Sequence, residues 1–224
     1  MSQALRVVLF GATGMVGSAV LEHCLSDDAV ESVLSVGRRS TGLSHPKLRE
    51  LLVTNFLDYG PVRDQLRGYN ACFFTLGVTS VGRSEAEYVR DTHDLTLAAA
   101  QALLAASPGI SFCYVSGQGT DSSGQGRVMW ARVKGRTENE LLALPFSHAG
   151  MIRLGALRPS PGFRSKTAWV RWSYAVLGPL LPLLKVLGLP VLDGPTLARA
   201  MIRVAQGKSA KSVLDPRDLI ALGS

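Results

Sequence analysis

Near the start of the chain, Gly11-Ala-Thr-Gly14-Met-Val-Gly17 presents backbone amides with almost no side chain to cover them. Glycines at this spacing suit one kind of chemistry, the cradling of a phosphate. The first lets the chain turn sharply, the second lets backbone approach a pyrophosphate, and the third lets the next helix sit close to the preceding strand. Phosphate oxygens then meet free N–H groups at the positive end of a helix. The candidate contacts are Gly11, Thr13, Gly14, Met15, Val16 and Gly17. Farther on, Gly37-Arg38-Arg39-Ser40 stands where a dinucleotide fold reads the adenosine ribose. An acid there accepts the 2′-hydroxyl of NAD, whereas a guanidinium pairs with the 2′-phosphate of NADP and an acid repels it. Arg38 and Arg39 with no acid between them favour NADP(H) over NAD(H), even if one of the two only faces solvent.

These groups need elements to hold them. Leu5–Phe10 is a short apolar run that reads as a buried parallel strand leading into the glycine turn. Ala19, Val20, Leu21 and Leu25 then predict a helix packed on a sheet. A glycine triplet alone is a weak signal; between a strand and a helix it is a strong one. The spacing predicts a second strand at Val33–Val36, a third at Leu51–Asn55 and a fourth at Ala71–Leu76. In an open parallel sheet the ligand lies beyond the carboxyl ends of the strands. That rule places Asn55 and Phe56 beside the adenine, and Leu76, Gly77 and Val78 along the diphosphate and ribose. Leu95–Ala106 is an Ala/Leu-rich helix ended by Ser107-Pro108-Gly109, and Ile110–Val115 is a strand that ends at Ser116-Gly117. Alternating strands and crossover helices make a doubly wound α/β parallel sheet of the Rossmann type. The chain reads as a single domain over residues 1–224, with a cofactor part at about 1–155 and a small C-terminal substrate-facing cap at about 156–224.

GATGMVG at the start, VGRR after the second strand, TLGVT after the fourth, YVSGQGTD after the fifth, ARVKGRTENELL on the next helix, IRLGALRP after the sixth strand and DLIALG at the end together resemble one family. The chain is similar over nearly its whole length to the atypical short-chain dehydrogenase/reductases, in particular the HIV Tat-interacting-protein-like subfamily. The glycine turn is shared by a very large superfamily; VKG-x-x-E together with VGRR is more specific. The resemblance implies an oxidoreductase in which a serine orients the substrate carbonyl, a tyrosine donates the proton, and a lysine binds the nicotinamide ribose and lowers the tyrosine pKa. By position it implies Ser116 as the serine and Lys134 as the lysine, with Leu154 and Ala156 beside the cofactor. Trp130 stands where the tyrosine belongs, and Gly117 replaces a second serine often found there.

Tryptophan cannot take over the tyrosine's task, because an indole N–H donates a hydrogen bond but does not titrate in water. Three readings are open. The protein binds NADP(H) and reduces nothing by the usual route; or another group gives the proton, such as a water held by Lys134 and Ser116; or the protein is a regulator that senses the cofactor's redox state and acts on partners. Trp130 could also simply pack helix on sheet. Tyr114, two residues before Ser116 in strand register, lies nearer the sheet core and is not assigned as the acid. The substrate, a small carbonyl or hydroxyl compound, is not named by the sequence.

Toward the C-terminus, Arg158, Arg164, Lys166 and Arg171 form a loose basic group that either steers an anionic substrate or is simply solvated. Trp169, Trp172, Tyr174 and the apolar stretch Ala175–Leu189 are expected to cover an apolar pocket or the open end of the sheet. Within it Val176–Leu184 is interrupted by Pro179 and Pro182 and falls short of the roughly 20 residues a spanning helix needs, so peripheral membrane contact or a homodimer face is expected rather than a transmembrane span. Asp193-Gly-Pro195-Thr196 opens a helix whose Leu197, Ala200, Met201 and Val204 face inward, and Val213–Leu222 gives a last strand and helix.

The chain's 224 residues, 46% hydrophobic and 18% charged, exclude a disordered protein. The net charge of +7 favours anionic partners, although basic residues spread along the chain are equally an ordinary surface excess. No helix-turn-helix or basic-aromatic platform is visible, so no nucleic-acid partner is expected. Cys24, Cys72 and Cys113 are widely spaced in apolar contexts, and the four histidines lack metal-ligand spacing, so neither a disulfide frame nor a metal site is expected. With no signal peptide apparent, the expected location is cytoplasmic.

Overall fold

The computed structural model describes residues 4–158 and 191–224. Its core is a seven-stranded sheet built in chain order from β1 (Leu5–Phe10), β2 (Val30–Gly37), β3 (Leu48–Leu52), β4 (Ala71–Phe74), β5 (Ser111–Val115), β6 (Ala149–Ile152) and, after a separate pair, a strand at Val213–Leu214. The separate pair is β7 (Ala156–Leu157) and β8 (Val191–Leu192), which makes the last strand β9. The sheet order is β3-β2-β1-β4-β5-β6-β9, and every neighbouring pair runs parallel. The order reverses between β1 and β4, which opens a crevice at their carboxyl ends.

The two-residue period of the strands divides the core. Val7, Leu9, Phe73 and Cys113 point to one face and pack with α1 (Met15–Ser26) and the helix at Gly194–Ala205. Val8, Phe10, Cys72, Phe74, Phe112 and Tyr114 point to the other and pack with the helix at Leu95–Ala106. That helix, α3, continues a longer rod: α2 (Glu85–Val89), a π turn at Arg90–Asp94 and α3 follow without a break in helical backbone. Ser84 and Glu87 close its start as a reciprocal capping box. Among the described residues there follow a 3₁₀ helix at Gly60–Leu66 and the helices α4 (Met129–Leu142), α5 (Gly194–Ala205) and α6 (Pro216–Gly223).

Several expectations shift. β3 covers Leu48–Leu52 and not Leu51–Asn55, because its register follows β2, pairing Val33 with Leu48 and Gly37 with Leu52, and β2 ends at Gly37. β4 stops at Phe74, although the N–H of Thr75 still donates to the carbonyl of Phe10. The described part of the C-terminal third belongs largely to the sheet and its helices. α5 packs its predicted face, with Leu197, Ala200, Met201 and Val204 buried, against the sheet, and β9 extends that sheet beside β6. No helix among the described residues is long and apolar enough to cross a membrane. Arg164, Lys166, Trp169, Arg171, Trp172, Tyr174 and Ala175–Leu189 lie outside the described residues.

Candidate cofactor and active site

The glycine turn is built by close approach. Gly11 sits at φ +84°, and a Cβ on it would come within 2.8 Å of Thr75 Oγ1. A Cβ on Gly17 would stand 2.1 Å from the carbonyl oxygen of Gly11, so only glycine lets α1 start this close to β1. Gly14 is the N-cap of α1, has no side chain to cap it, and no acid lies in the first turn. The only heavy atom that a Cβ there would meet within 4 Å is the Gly11 carbonyl oxygen, at 3.2 Å. The helix therefore begins with amide donors and positive dipole and, among the described residues, no side-chain cap and no acid in the first turn to satisfy them.

In front of this turn lies a cavity of about 450 Å³. Gly11 and Thr13 line it from the turn, Arg38 and Arg39 from the end of β2, Asn55 and Phe56 beyond β3, and Leu76, Gly77 and Val78 beyond β4. Gly14, Met15, Val16 and Gly17 form the first turn of α1 and are not on the cavity wall; Met15 and Val16 pack against the core. Arg38 and Arg39 are exposed and make no ion pair among the described residues. Their loop is fastened from behind. Glu50 accepts hydrogen bonds from Ser40 Oγ at 2.6 Å and from the Thr41 N–H and hydroxyl at 2.6 and 2.7 Å, and these bonds hold its carboxyl below the usual range. Glu50 is thus engaged with the loop and does not line the cavity.

Sequence reasoning missed the charged residues Arg83, Arg90 and Asp91 of this wall. Asp91 is held there by Arg83 at 2.5 Å and by Arg90 at 3.2 Å. The capping box at Ser84 marks where the helix begins and could have drawn attention to Arg83. The π turn that carries Arg90 and Asp91 adds a residue to the helical repeat, which no apolar period announces.

The other candidate residues stand apart from this cavity, at the ends of β5 and α4. Gly135 brings α4 against the loop that follows β5: a Cβ there would lie 1.7 Å from the carbonyl oxygen of Asp121. Ser116 is not free to orient a carbonyl. It is buried, and its hydroxyl donates to Glu138 Oε1 at 2.5 Å. Glu138 is only 1% exposed and is paired with Arg153 at 2.6 Å, which in turn donates to Ser122. Glu138 raises the pKa of Arg153, as a hydrogen-bonded carboxylate should. The sequence signal for this network was the glutamate of VKG-x-x-E, read only as part of a motif.

Lys134 lies between these groups. Its Nζ is 5.9 Å from the centre of the Tyr114 ring, within cation–π range. Burial pushes its pKa down to about 8, with the Glu138 carboxylate opposing the shift. Trp130, one turn earlier on α4, lays its ring over the loop: a Cβ on Gly117 would be 3.4 Å from its Cζ3, and one on Gly119 would be 3.7 Å from its Cη2. Tyr114 is fully buried, which pushes its hydroxyl pKa up and keeps it away from a substrate. Leu154 packs on the core and its carbonyl accepts the Gln118 N–H, while Ala156 pairs with Val191 in β7–β8; neither reaches the cavity.

No family model matches the chain. Among solved structures, the chain superposes on the Bordetella bronchiseptica enzyme WbmG in complex with NAD with a TM-score of 0.68 and 14% identity, covering 94% of this chain and 72% of that one. A short-chain dehydrogenase/reductase of Saccharomyces cerevisiae matches with a TM-score of 0.63 and 13% identity over 98% of both chains. The chain has the fold of the short-chain dehydrogenase/reductases. Its relatives in sequence include the mitochondrial protein FMP52 of Eremothecium gossypii, 30% identical over 155 residues, which are 68% of this chain and 66% of that protein, just under two thirds of its length. The protein of the same name from Chaetomium globosum is 24% identical over 231 residues, 96% of each chain. The expectation of a cytoplasmic protein is overturned by these relatives, which are named as mitochondrial. The three free, buried cysteines that supported it speak for reduced thiols and do not tell one reducing compartment from another.

Proposed function

We propose that the protein is an NADP(H)-binding oxidoreductase of the short-chain dehydrogenase/reductase type that works without the usual tyrosine. One observation carries the reading: a cavity lined by an uncapped glycine turn and by two arginines that make no ion pair among the described residues. The turn fits a diphosphate, since each glycine's missing Cβ leaves room for backbone or ligand that a side chain would take. Arg38 and Arg39 would hold the 2′-phosphate; Asn55 and Phe56 would lie beside the adenine, and Leu76, Gly77 and Val78 along the ribose. When bound, the reduced dinucleotide supplies two electrons and one hydrogen to an acceptor. Lys134 would hold the nicotinamide ribose, and Trp130 would close the end of the site near the acceptor.

Calorimetric titration with NADPH and NADH tests this. Micromolar binding of NADPH, weaker binding of NADH, and loss of that difference in the double variant Arg38→Ala, Arg39→Ala are expected. Equal binding of both dinucleotides by the wild type would overturn the preference for NADP(H).

The locked Ser116 and the indole at position 130 favour a second reading, a regulator that binds partners according to its cofactor and turns nothing over. Partner recovery that is the same with and without NADPH would remove it.

A further inference from the structure

The proton is the difficulty at the far end of the site. A ketone that accepts two electrons and a hydrogen becomes an alkoxide, whose basicity is comparable with that of hydroxide (water itself has a pKa of about 15.7 in bulk). Such an anion needs an acid beside it, and a positioned acid is worth about 10²–10⁴-fold in rate. Most hydroxyls near the end of β5 and on α4 are engaged: Ser116 donates to Glu138, Thr120 to the Gly117 carbonyl and Ser123 to Asp121, while Tyr88 and Tyr114 are buried and Ser122 takes a hydrogen bond from Arg153. A serine or threonine hydroxyl is in any case too weak an acid to stand in for the tyrosine. The group that stands in the tyrosine's place is a flat indole, half-buried and spread over two glycines that leave it room.

We propose that Trp130, lying across Gly117 and Gly119, is the floor of a site for a planar conjugated acceptor of the quinone class. This rests on the cofactor reading above and names its substrate class. A quinone needs no protein acid. On taking two electrons and one hydrogen from the reduced dinucleotide it becomes a hydroquinone monoanion, a phenolate-type base with a pKa of about 10, like that of tyrosine. One proton from water completes the hydroquinone and leaves the oxidised dinucleotide. The negative charge of the monoanion rests on a ring oxygen, where the Lys134 ammonium, one helical turn from Trp130, can balance it. Ring-on-ring stacking on an indole supplies affinity that an aliphatic ketone cannot match.

The test uses 1,4-naphthoquinone-2-sulfonate as the planar probe and cyclohexanone as the non-planar one. Calorimetry on the full chain saturated with NADP⁺ should show binding of the naphthoquinone that falls about tenfold in Trp130→Ala, a stacking-sized loss. Trp130→Phe, which keeps a ring, should recover most of that loss; equal weakening in both variants, or none in Trp130→Ala, overturns the platform. In NADPH oxidation corrected for the protein-free reaction, the naphthoquinone should be reduced at least about 10²-fold faster than cyclohexanone, and Trp130→Tyr should gain cyclohexanone reduction. Cyclohexanone turned over as fast as the naphthoquinone, or no naphthoquinone binding by a protein that does bind NADP⁺, overturns the proposal. A protein that binds no NADP⁺ at all overturns the cofactor reading instead.

Discussion

The two ends of the site are built on opposite terms. At the proposed adenosine end the polar groups wait for a partner: the first turn of α1 has no side-chain cap, Arg38 and Arg39 are exposed and make no ion pair among the described residues, and both line a cavity of about 450 Å³ with the glycine turn. At the proposed nicotinamide end the polar groups already have partners. Ser116, Glu138, Arg153 and Ser122 form a closed chain of hydrogen bonds, and Trp130 fills the space above Gly117 and Gly119. On the proposed reading, the end that takes the cofactor keeps its donors free, and the end where tryptophan stands for tyrosine turns the same positions into structure. The fold persists whether or not the usual proton donor does.

The largest effect should come from opening the closed end. Glu138→Ala leaves the buried Ser116 hydroxyl and the half-buried Arg153 guanidinium without their acceptor, and the loss expected in chemical denaturation is about 3 kcal/mol. Replacing both, Glu138→Met with Arg153→Met, should return much of that stability. A Glu138→Ala chain as stable as wild type would mean that the closed end is not closed in solution.

At the open end the effect should fall on binding and leave stability alone. Arg38→Ala or Arg39→Ala should cost about 1.5–3 kcal/mol of NADPH affinity, the worth of a hydrogen bond to a charged group, and almost nothing for NADH. The arginine of the pair that faces solvent will show no loss. Arg90→Ala, on the cavity wall, tests whether the π turn takes part: a weaker loss for both dinucleotides is expected if Arg90 meets the parts they share.

Lys134 sharpens the contrast through pH. Its pKa is lowered in the folded state from 10.5 to about 8. Between those values the unfolded chain binds more protons than the folded one, so this group's contribution to stability rises with pH across that window and is constant outside it. The buried cysteines work the other way, with Cys24 pushed up to about 12, but they are present in both chains when wild type is compared with Lys134→Met. The wild-type stability relative to that variant should therefore climb from pH 8 to 10.5. A flat difference would place Lys134 in water. The smallest effect expected is that of Ser84→Ala, about 1 kcal/mol or less for loss of the capping box that starts the helix carrying the π turn.

Much of the open end was readable from residue types. The glycine spacing fixes a strand-turn-helix, and Leu5–Phe10 alternates between two core faces as a buried strand should. The absence of an acid at Arg38-Arg39 is a local fact that needs no fold to interpret. β3 was misplaced because an edge strand with exposed Arg49 and Glu50 has a weak apolar pattern, and its limits come from pairing with β2. The π turn was invisible because it alters the helical repeat without altering composition. Ser116 was assigned by position, but the fate of its hydroxyl depends on Glu138, which is 22 residues away in sequence and is brought close by α4. The cellular location does not follow from the fold at all, since the core that makes a Rossmann sheet works in any compartment.

The central claim is that the adenosine end is a self-sufficient 2′-phosphate site, independent of the altered nicotinamide end. It is tested most directly by calorimetric titration of the wild type and of Trp130→Ala with 2′,5′-ADP and with 5′-ADP, fragments that never reach Trp130. The account predicts that 2′,5′-ADP binds at least about tenfold more tightly than 5′-ADP, the worth of one charge-assisted contact, and equally in both proteins. Equal affinity for the two fragments, or a preference that vanishes with Trp130, would contradict it.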